Sequence, residues 1–216
     1  MIPNWSSLKF WDSPAFKTLS SNLVCDPACD YVPNANRIAR PFAFFAPEDT
    51  KAVIIGTSPY PSSEIADGLA YSTWPNNKRL PSSLINIFKE YQNDLGLPLP
   101  RSGSLVRWAE EGVLLLNSCL TTEKGVPNAH VNRGWEKLTI EVLQLLSERQ
   151  RCVFILWGAV AGEFRGLIDE RHNLVLTAPH PGPFTARSGF FGSKPFSQCN
   201  AYLRNCGLDP IDWKLR

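Results

Sequence analysis

Val53-Ile54-Ile55-Gly56-Thr57-Ser58-Pro59-Tyr60-Pro61 reads as a buried strand that stops at a rigid turn. Val53 to Ile55 are β-branched and apolar, as a parallel core strand requires. Gly56 permits a tight turn and close approach of a ligand to the backbone. Pro59 and Pro61 restrict φ on either side of Tyr60 and hold its ring in a defined place. In open α/β sheets, ligands bind beyond the carboxyl ends of the strands. An aromatic residue on a stiff loop there is a candidate pocket wall. Taken alone, such a segment is more often only a Pro-rich turn.

Working outward, three more apolar runs have the same form. Val113-Leu114-Leu115-Leu116 runs into Asn117, Cys152 to Trp157 into Gly158, and Asn173 to Thr177 into the Pro-rich stretch that holds His180. Between them lie segments predicted as helices over about 83–94, 104–111, 134–148 and 195–206. Ser82 or Ser83 is the expected N-cap of the first, and Leu84, Ile87, Phe88 and Tyr91 share one of its faces. Alternation of strand and helix predicts a three-layer α/β/α sandwich around a central four-stranded parallel sheet. Tyr60, Asn117, Gly158 and His180 then fall on one edge. Residues 118–133 and 25–41 are expected as loops. Trp5, Leu8, Phe10, Phe16 and Leu19 suggest an amphipathic helical start, and Phe42 to Phe45 an apolar anchor.

The bulk properties narrow the classes. A chain of 216 residues is most simply one domain, 1–216. A net charge of +2 does not announce a nucleic-acid partner, but permits one if basic residues gather on one face. There is no apolar run of membrane-spanning length and no signal-peptide pattern, so a soluble, cytoplasmic protein is expected, or a nuclear one if the source is eukaryotic or viral. The spacing of Cys25, Cys29, Cys119, Cys152, Cys199 and Cys206 fits neither a disulfide scaffold nor a standard zinc site, and no metal or other cofactor is expected.

Gly112 to Asn117, Arg133-Gly134-Trp135-Glu136, Leu156-Trp157-Gly158, His180-Pro181-x-Pro183 and Gly189-Phe190-Phe191-Gly192 follow in order, then Phe196-Ser197-x-x-Asn200 and Pro210-Ile211-Asp212-Trp213. In these stretches the chain resembles the family 1 uracil-DNA glycosylases, from about Val53 to the C-terminus, with residues 1–50 matching weakly. The resemblance implies the same fold and an enzyme that flips uracil out of DNA and hydrolyses its N-glycosidic bond.

It also implies roles by position. Asn117 would read the polar edge of uracil, Tyr60 would exclude thymine by its methyl group, and Tyr71 would stack on the base. His180 would donate to uracil O2 as charge builds on the leaving base. Thr57 stands for a glutamine and would act mainly through its backbone. Phe184 would be the wedge in place of a leucine. Ser82, Ser83, Gly158, Ala159 and Arg187 would contact the DNA backbone, with added charge from Lys78, Arg79, Lys124 and Lys194. Single- or double-stranded uracil-containing DNA is the implied partner, a proteinaceous glycosylase inhibitor a further one, and the implied state is a monomer.

The departures concentrate in the opening stretch. Where the family has Gly-Gln-Asp-Pro-Tyr-His, this chain has Gly56-Thr57-Ser58-Pro59-Tyr60-Pro61. The lost aspartate orients the attacking water and faces the cationic sugar. Ser58 can hold water but carries no charge. Removing one such group typically costs a factor of roughly 10²–10³, so a slow enzyme is expected. Glu64 and Asp67 are candidate substitute carboxylates. The alternative is a weakened or inactive uracil-DNA-binding homologue that serves as sensor or replication scaffold.

Overall fold

The structure is a computed structural model, which describes residues 5–24, 30–77 and 79–215. Cys25, Cys29 and Lys78 lie outside the described residues. Among the described residues, six strands form two sheets. β1 (Tyr31–Val32) pairs antiparallel with β4 (Thr122–Glu123). β2 (Ala52–Gly56), β3 (Val113–Asn117), β5 (Val153–Trp157) and β6 (Leu174–Ala178) form the main sheet, all parallel, in the order β3-β2-β5-β6.

The strands are short apolar runs because both faces of this sheet are covered. Alternate residues go to opposite sides. Ile54, Leu115, Ile155 and Trp157 pack on one face with α2 (Ser82–Leu95), α3 (Val106–Glu110) and α6 (Pro195–Asn205). Val53, Ile55, Leu114, Leu116, Phe154 and Leu156 pack on the other with α4 (Glu136–Arg149) and the N-terminal residues Trp5, Leu8, Phe10 and Leu19. α1 (Pro14–Val24) and the four-residue α5 (Ala159–Gly162) complete the helices. Three layers around four parallel strands are therefore observed as expected. No helix among the described residues is long and apolar enough to cross a membrane.

Three local expectations are corrected. The helical start is broken: a 3₁₀ turn covers Lys9–Asp12 and α1 begins only at Pro14, where a missing backbone N–H costs nothing. Neither Ser82 nor Ser83 caps α2, which begins at Ser82 behind an extended Pro81 and has no side-chain cap. The segments expected as loops meet each other, since β1 lies within 25–41 and β4 within 118–133. Neither strand is visible alone, because two residues carry no periodicity and each exists only by pairing with the other.

Several of the matched motifs brace the frame. Asn200 Nδ2 donates to the Ile211 carbonyl and Asn200 Oδ1 accepts the Ile211 N–H, both at 2.9 Å, so a buried side chain satisfies both backbone polar groups of Ile211. Trp108 Nε1 donates to the Trp213 carbonyl at 2.8 Å. Buried Glu90 accepts the N–H groups of Gly192 and Lys194 at 2.7 and 2.8 Å. These contacts fix the chain after β6, which carries His180. Cys119, Cys152 and Cys199 are buried thiols, and no metal-binding cluster occurs among the described residues.

Candidate active site

The strand ends create the site. Gly56 and Asn117 are register partners at the ends of β2 and β3. A cavity of about 220 Å³ opens beyond them, lined among others by Thr57, Ser58, Tyr60, Tyr71, Asn117 and His180. Residues up to 124 positions apart in sequence, from Gly56 to His180, thus share one wall system.

Asn117 is buried, 5 % exposed, and its amide lies directly over the Gly56 backbone. The turn after Gly56 is laced to the turn after Asn117. Ser118 N–H donates to the Gly56 carbonyl at 2.8 Å, and Cys119 N–H to the Thr57 carbonyl at 2.9 Å. Thr57 therefore contributes through its backbone here, and its side-chain type matters little to this lacing.

Tyr60 donates its hydroxyl to the Tyr71 carbonyl at 3.2 Å. Burial raises its pKa far above the ordinary phenol value, with Tyr71 and Asp67 adding to the shift, so the ring stays neutral. Tyr71 sits at a positive φ of 62°, edge-on to Trp157 at 5.5 Å between centroids and tilted against His180 at 6.1 Å. Its hydroxyl is buried with no hydrogen-bond partner among the described residues. Burial raises its pKa as well.

His180 is held on three sides. Gly182 N–H donates to His180 Nδ1 at 2.9 Å. An acceptor at Nδ1 means that the proton of the neutral ring resides on Nε2. Burial holds the imidazole below its ordinary pKa and so favours the neutral form. Gly158, at a positive φ of 93°, lets the β5 turn pass beside the ring, since a Cβ there would lie 2.9 Å from His180 Cβ. The loop itself is tied down by Asn86 Nδ2, which donates to the Pro181 carbonyl at 2.8 Å, and by Thr185 Oγ1, which donates to the His180 carbonyl at 2.7 Å.

The remaining candidates are divided between the cavity, a neighbouring groove and the exposed surface. Ser83 lines the cavity itself. Ser82 and Arg187 line a neighbouring groove between α2 and the His180 loop. Ala159 is exposed at the start of α5. Phe184 is 95 % exposed, so it is no part of the core. Arg79 and Lys194 are exposed, whereas Lys124 is paired with Asp30 at 2.7 Å.

Neither substitute carboxylate lines the cavity. Asp67 is 1 % exposed and fully engaged: it accepts Leu69 N–H at 3.0 Å and Ser72 Oγ at 2.8 Å, and pairs with Arg40 at 2.9 Å. It is a structural anchor for the 67–72 turn. Glu64 is exposed and does not line the cavity. The sequence reading missed a different neighbour. Ser58 Oγ donates to Asn128 Oδ1 at 2.7 Å, and Pro127 and Asn128 both line the cavity. No motif marks Asn128, which comes from the segment expected as a plain loop.

Residues 42–204 match the model of the Uracil DNA glycosylase superfamily. The chain belongs to this superfamily. It is 42% identical over 212 residues to the uracil-DNA glycosylase of Bacillus pumilus, covering 98% of this chain and 89% of that protein. It is 48% identical over 176 residues to that of Haemophilus influenzae strain Rd, covering 81% and 80% of the two. Among solved structures, the mimivirus UNG Y322F variant in complex with UGI superposes with a TM-score of 0.84 at 26% identity, over 96% of this chain and 86% of that one. The resemblance drawn from the motifs is thus confirmed at the level of family and fold.

Proposed function

We propose that this protein excises uracil from DNA by hydrolysing the N-glycosidic bond and leaves an abasic site. One observation carries the reading most: Gly182 N–H occupies His180 Nδ1, so Nε2–H is the edge left to donate to a ligand in the cavity. A neutral donor there suits a leaving base on which negative charge develops, because it strengthens its bond as the charge grows. In this reading Asn117 reads the polar edge of uracil with one donor and one acceptor. Tyr60, stiffened by two prolines and by its bond to Tyr71, closes the space that a thymine methyl group would need. Tyr71 offers a ring face to the base, and Thr57 acts through its backbone.

The bond between C1′ of the sugar and N1 of uracil breaks with its electron pair going to the base. Water oxygen bonds to C1′ and its proton leaves to solvent. Ser58 holds that water. As a neutral group it stabilises the cationic sugar less than a carboxylate does, so excision is slow relative to enzymes with an aspartate at this position.

Ser82, Ser83, Gly158, Ala159 and Arg187 contact the DNA backbone around the cavity mouth, and Phe184 enters the stack where the base left. The near-complete exposure of Phe184 supports this, since an apolar side chain gains nothing from water. The single domain acts as a monomer in the intracellular compartment that holds its DNA, on single or double strands. A proteinaceous inhibitor of the kind seen with mimivirus UNG is a further partner.

The test is release of free uracil from a uracil-containing oligonucleotide, followed under single turnover. Asn117→Ala and His180→Ala should each slow it by about 10²-fold. Wild-type rates in both variants would rule out this pocket. Ser58→Asp should speed excision, and a protein that binds uracil-DNA but never releases the base even at high excess would instead be a sensor.

A further inference from the structure

Ser58 and Asn128 are 70 positions apart, yet their side chains meet at 2.7 Å in the wall of the cavity. The loop that presents Asn128 is braced. β4 is held by β1, Gly125 N–H donates to the Pro61 carbonyl at 2.8 Å, and Thr122 Oγ1 accepts Ala129 N–H at 3.0 Å while donating to the Val126 carbonyl at 2.8 Å. Asn128 itself has a φ of 59°, a conformation that asparagine tolerates better than most residues. Tolerance alone accounts for the residue type. It does not account for an amide oxygen seated on the one hydroxyl that stands where a carboxylate would.

We propose that Asn128 is a positioning residue that makes Ser58 an obligate acceptor for the attacking water. The inference rests on the uracil-excision reading. A serine hydroxyl has one proton and two lone pairs. Free to rotate, it offers the proton to water as readily as it accepts one. A water that accepts has its own lone pair turned toward Ser58 and away from the sugar. With the proton committed to Asn128 Oδ1, only lone pairs of Ser58 Oγ remain for the cavity. The competing acceptor, the Pro59 carbonyl, is 3.4 Å away and weaker. Water beside Ser58 must then donate to it, which leaves a water lone pair free for C1′. A neutral pair thus recovers the orienting part of the lost carboxylate's work, though not its charge.

The experiment is uracil release, under single turnover and at steady state over a range of substrate concentrations, with wild type, Asn128→Gly, Asn128→Asp, Ser58→Ala and the double variant Ser58→Ala/Asn128→Gly. Glycine removes the amide and accepts a φ of 59° without strain, and Asn128 is exposed, so the melting temperature should not move. Loss of one neutral hydrogen bond in the transition state should lower kcat by about five- to tenfold, with KM within about twofold. Asn128→Asp keeps an acceptor oxygen and should hold kcat at or above wild type. The double variant should be no slower than Ser58→Ala, because Asn128 acts only through Ser58. A kcat for Asn128→Gly within twofold of wild type, a loss confined to KM, a kcat for Asn128→Asp at the level of the glycine variant, or multiplied losses in the double variant would each overturn the proposal. Wild type separates the two readings. If it releases no uracil, the excision reading falls and this one with it, whereas an active wild type with an equally active Asn128→Gly removes this inference alone.

Discussion

Gly56 lies so close beneath Asn117 that a Cβ added there would sit 2.3 Å from Asn117 Oδ1. The register pairing of β2 with β3 sets this distance, so the amide is positioned by a missing side chain. Gly56→Ala should push the Asn117 amide from its place at modest cost to the fold, since the obstructing atom is a side-chain end. Uracil release should fall by about 10²-fold, the range for losing one oriented polar group, while the melting temperature shifts by only a few degrees. Single-turnover rates and thermal melts on the same sample check this. Unchanged rates would mean that Asn117 is not aimed at the ligand.

His180 predicts an acid limb in the pH–rate profile. Burial holds its folded pKa below the ordinary value near 6.5. The neutral ring accepts Gly182 N–H at Nδ1, and protonation would place one N–H against the other. The active form is therefore present above the folded pKa and lost as pH falls through it. The same sign holds for stability, because the unfolded chain binds this proton more readily: stability is fully present above about pH 6.5 and declines below. His180→Gln should lower the rate and abolish the rate limb. A limb of the same midpoint in that variant would assign it to another group.

Asp67 is expected to matter for folding and not for chemistry. Asp67→Ala leaves Arg40 without its buried partner and frees Leu69 N–H and Ser72 Oγ, and Ser72 Oγ in turn holds Leu105 N–H at 2.9 Å. Breaking such a pair costs about 3–5 kcal/mol. Denaturant unfolding should show that loss, and the folded fraction should still release uracil. Loss of all chemistry at full stability would restore Asp67 as a candidate base.

Phe184 separates stability from function in the opposite sense. At 95 % exposure its truncation to alanine should leave the melting temperature within about 1 °C, because surface changes of this kind stay within ±0.5 kcal/mol. Uracil release from duplex DNA should fall more than from single strands, where no stack needs to be held open. Equal losses on both substrates would argue against a wedge.

Tyr71→Phe removes a buried hydroxyl that has no partner among the described residues. An unpaired buried polar group typically costs about 1–3 kcal/mol. The variant should be as stable as wild type or about 1 kcal/mol more stable, with uracil release retained because the ring is kept. A clear loss of rate would give the hydroxyl a contact with the substrate.

The sequence by itself determined the four core strands, their parallel arrangement and the clustering of Tyr60, Asn117 and His180 at one edge. Each follows from local pattern: short apolar runs buried on both faces, helices between them, and turn residues at the strand ends. The motif resemblance also singled out Ser58 as the expected site of a replaced aspartate. Only the tertiary structure decided which side chain meets Ser58. Asp67 carries a carboxylate close by in sequence but is spent on Arg40, while Asn128, from a loop without periodicity, meets the Ser58 hydroxyl. The proton position on His180 was likewise out of reach, because a backbone N–H two residues on turns back onto the ring only in the folded loop. Periodicity reports how buried a residue is. Which hydrogen-bond partner it meets depends on chain segments that fold against it from far along the sequence.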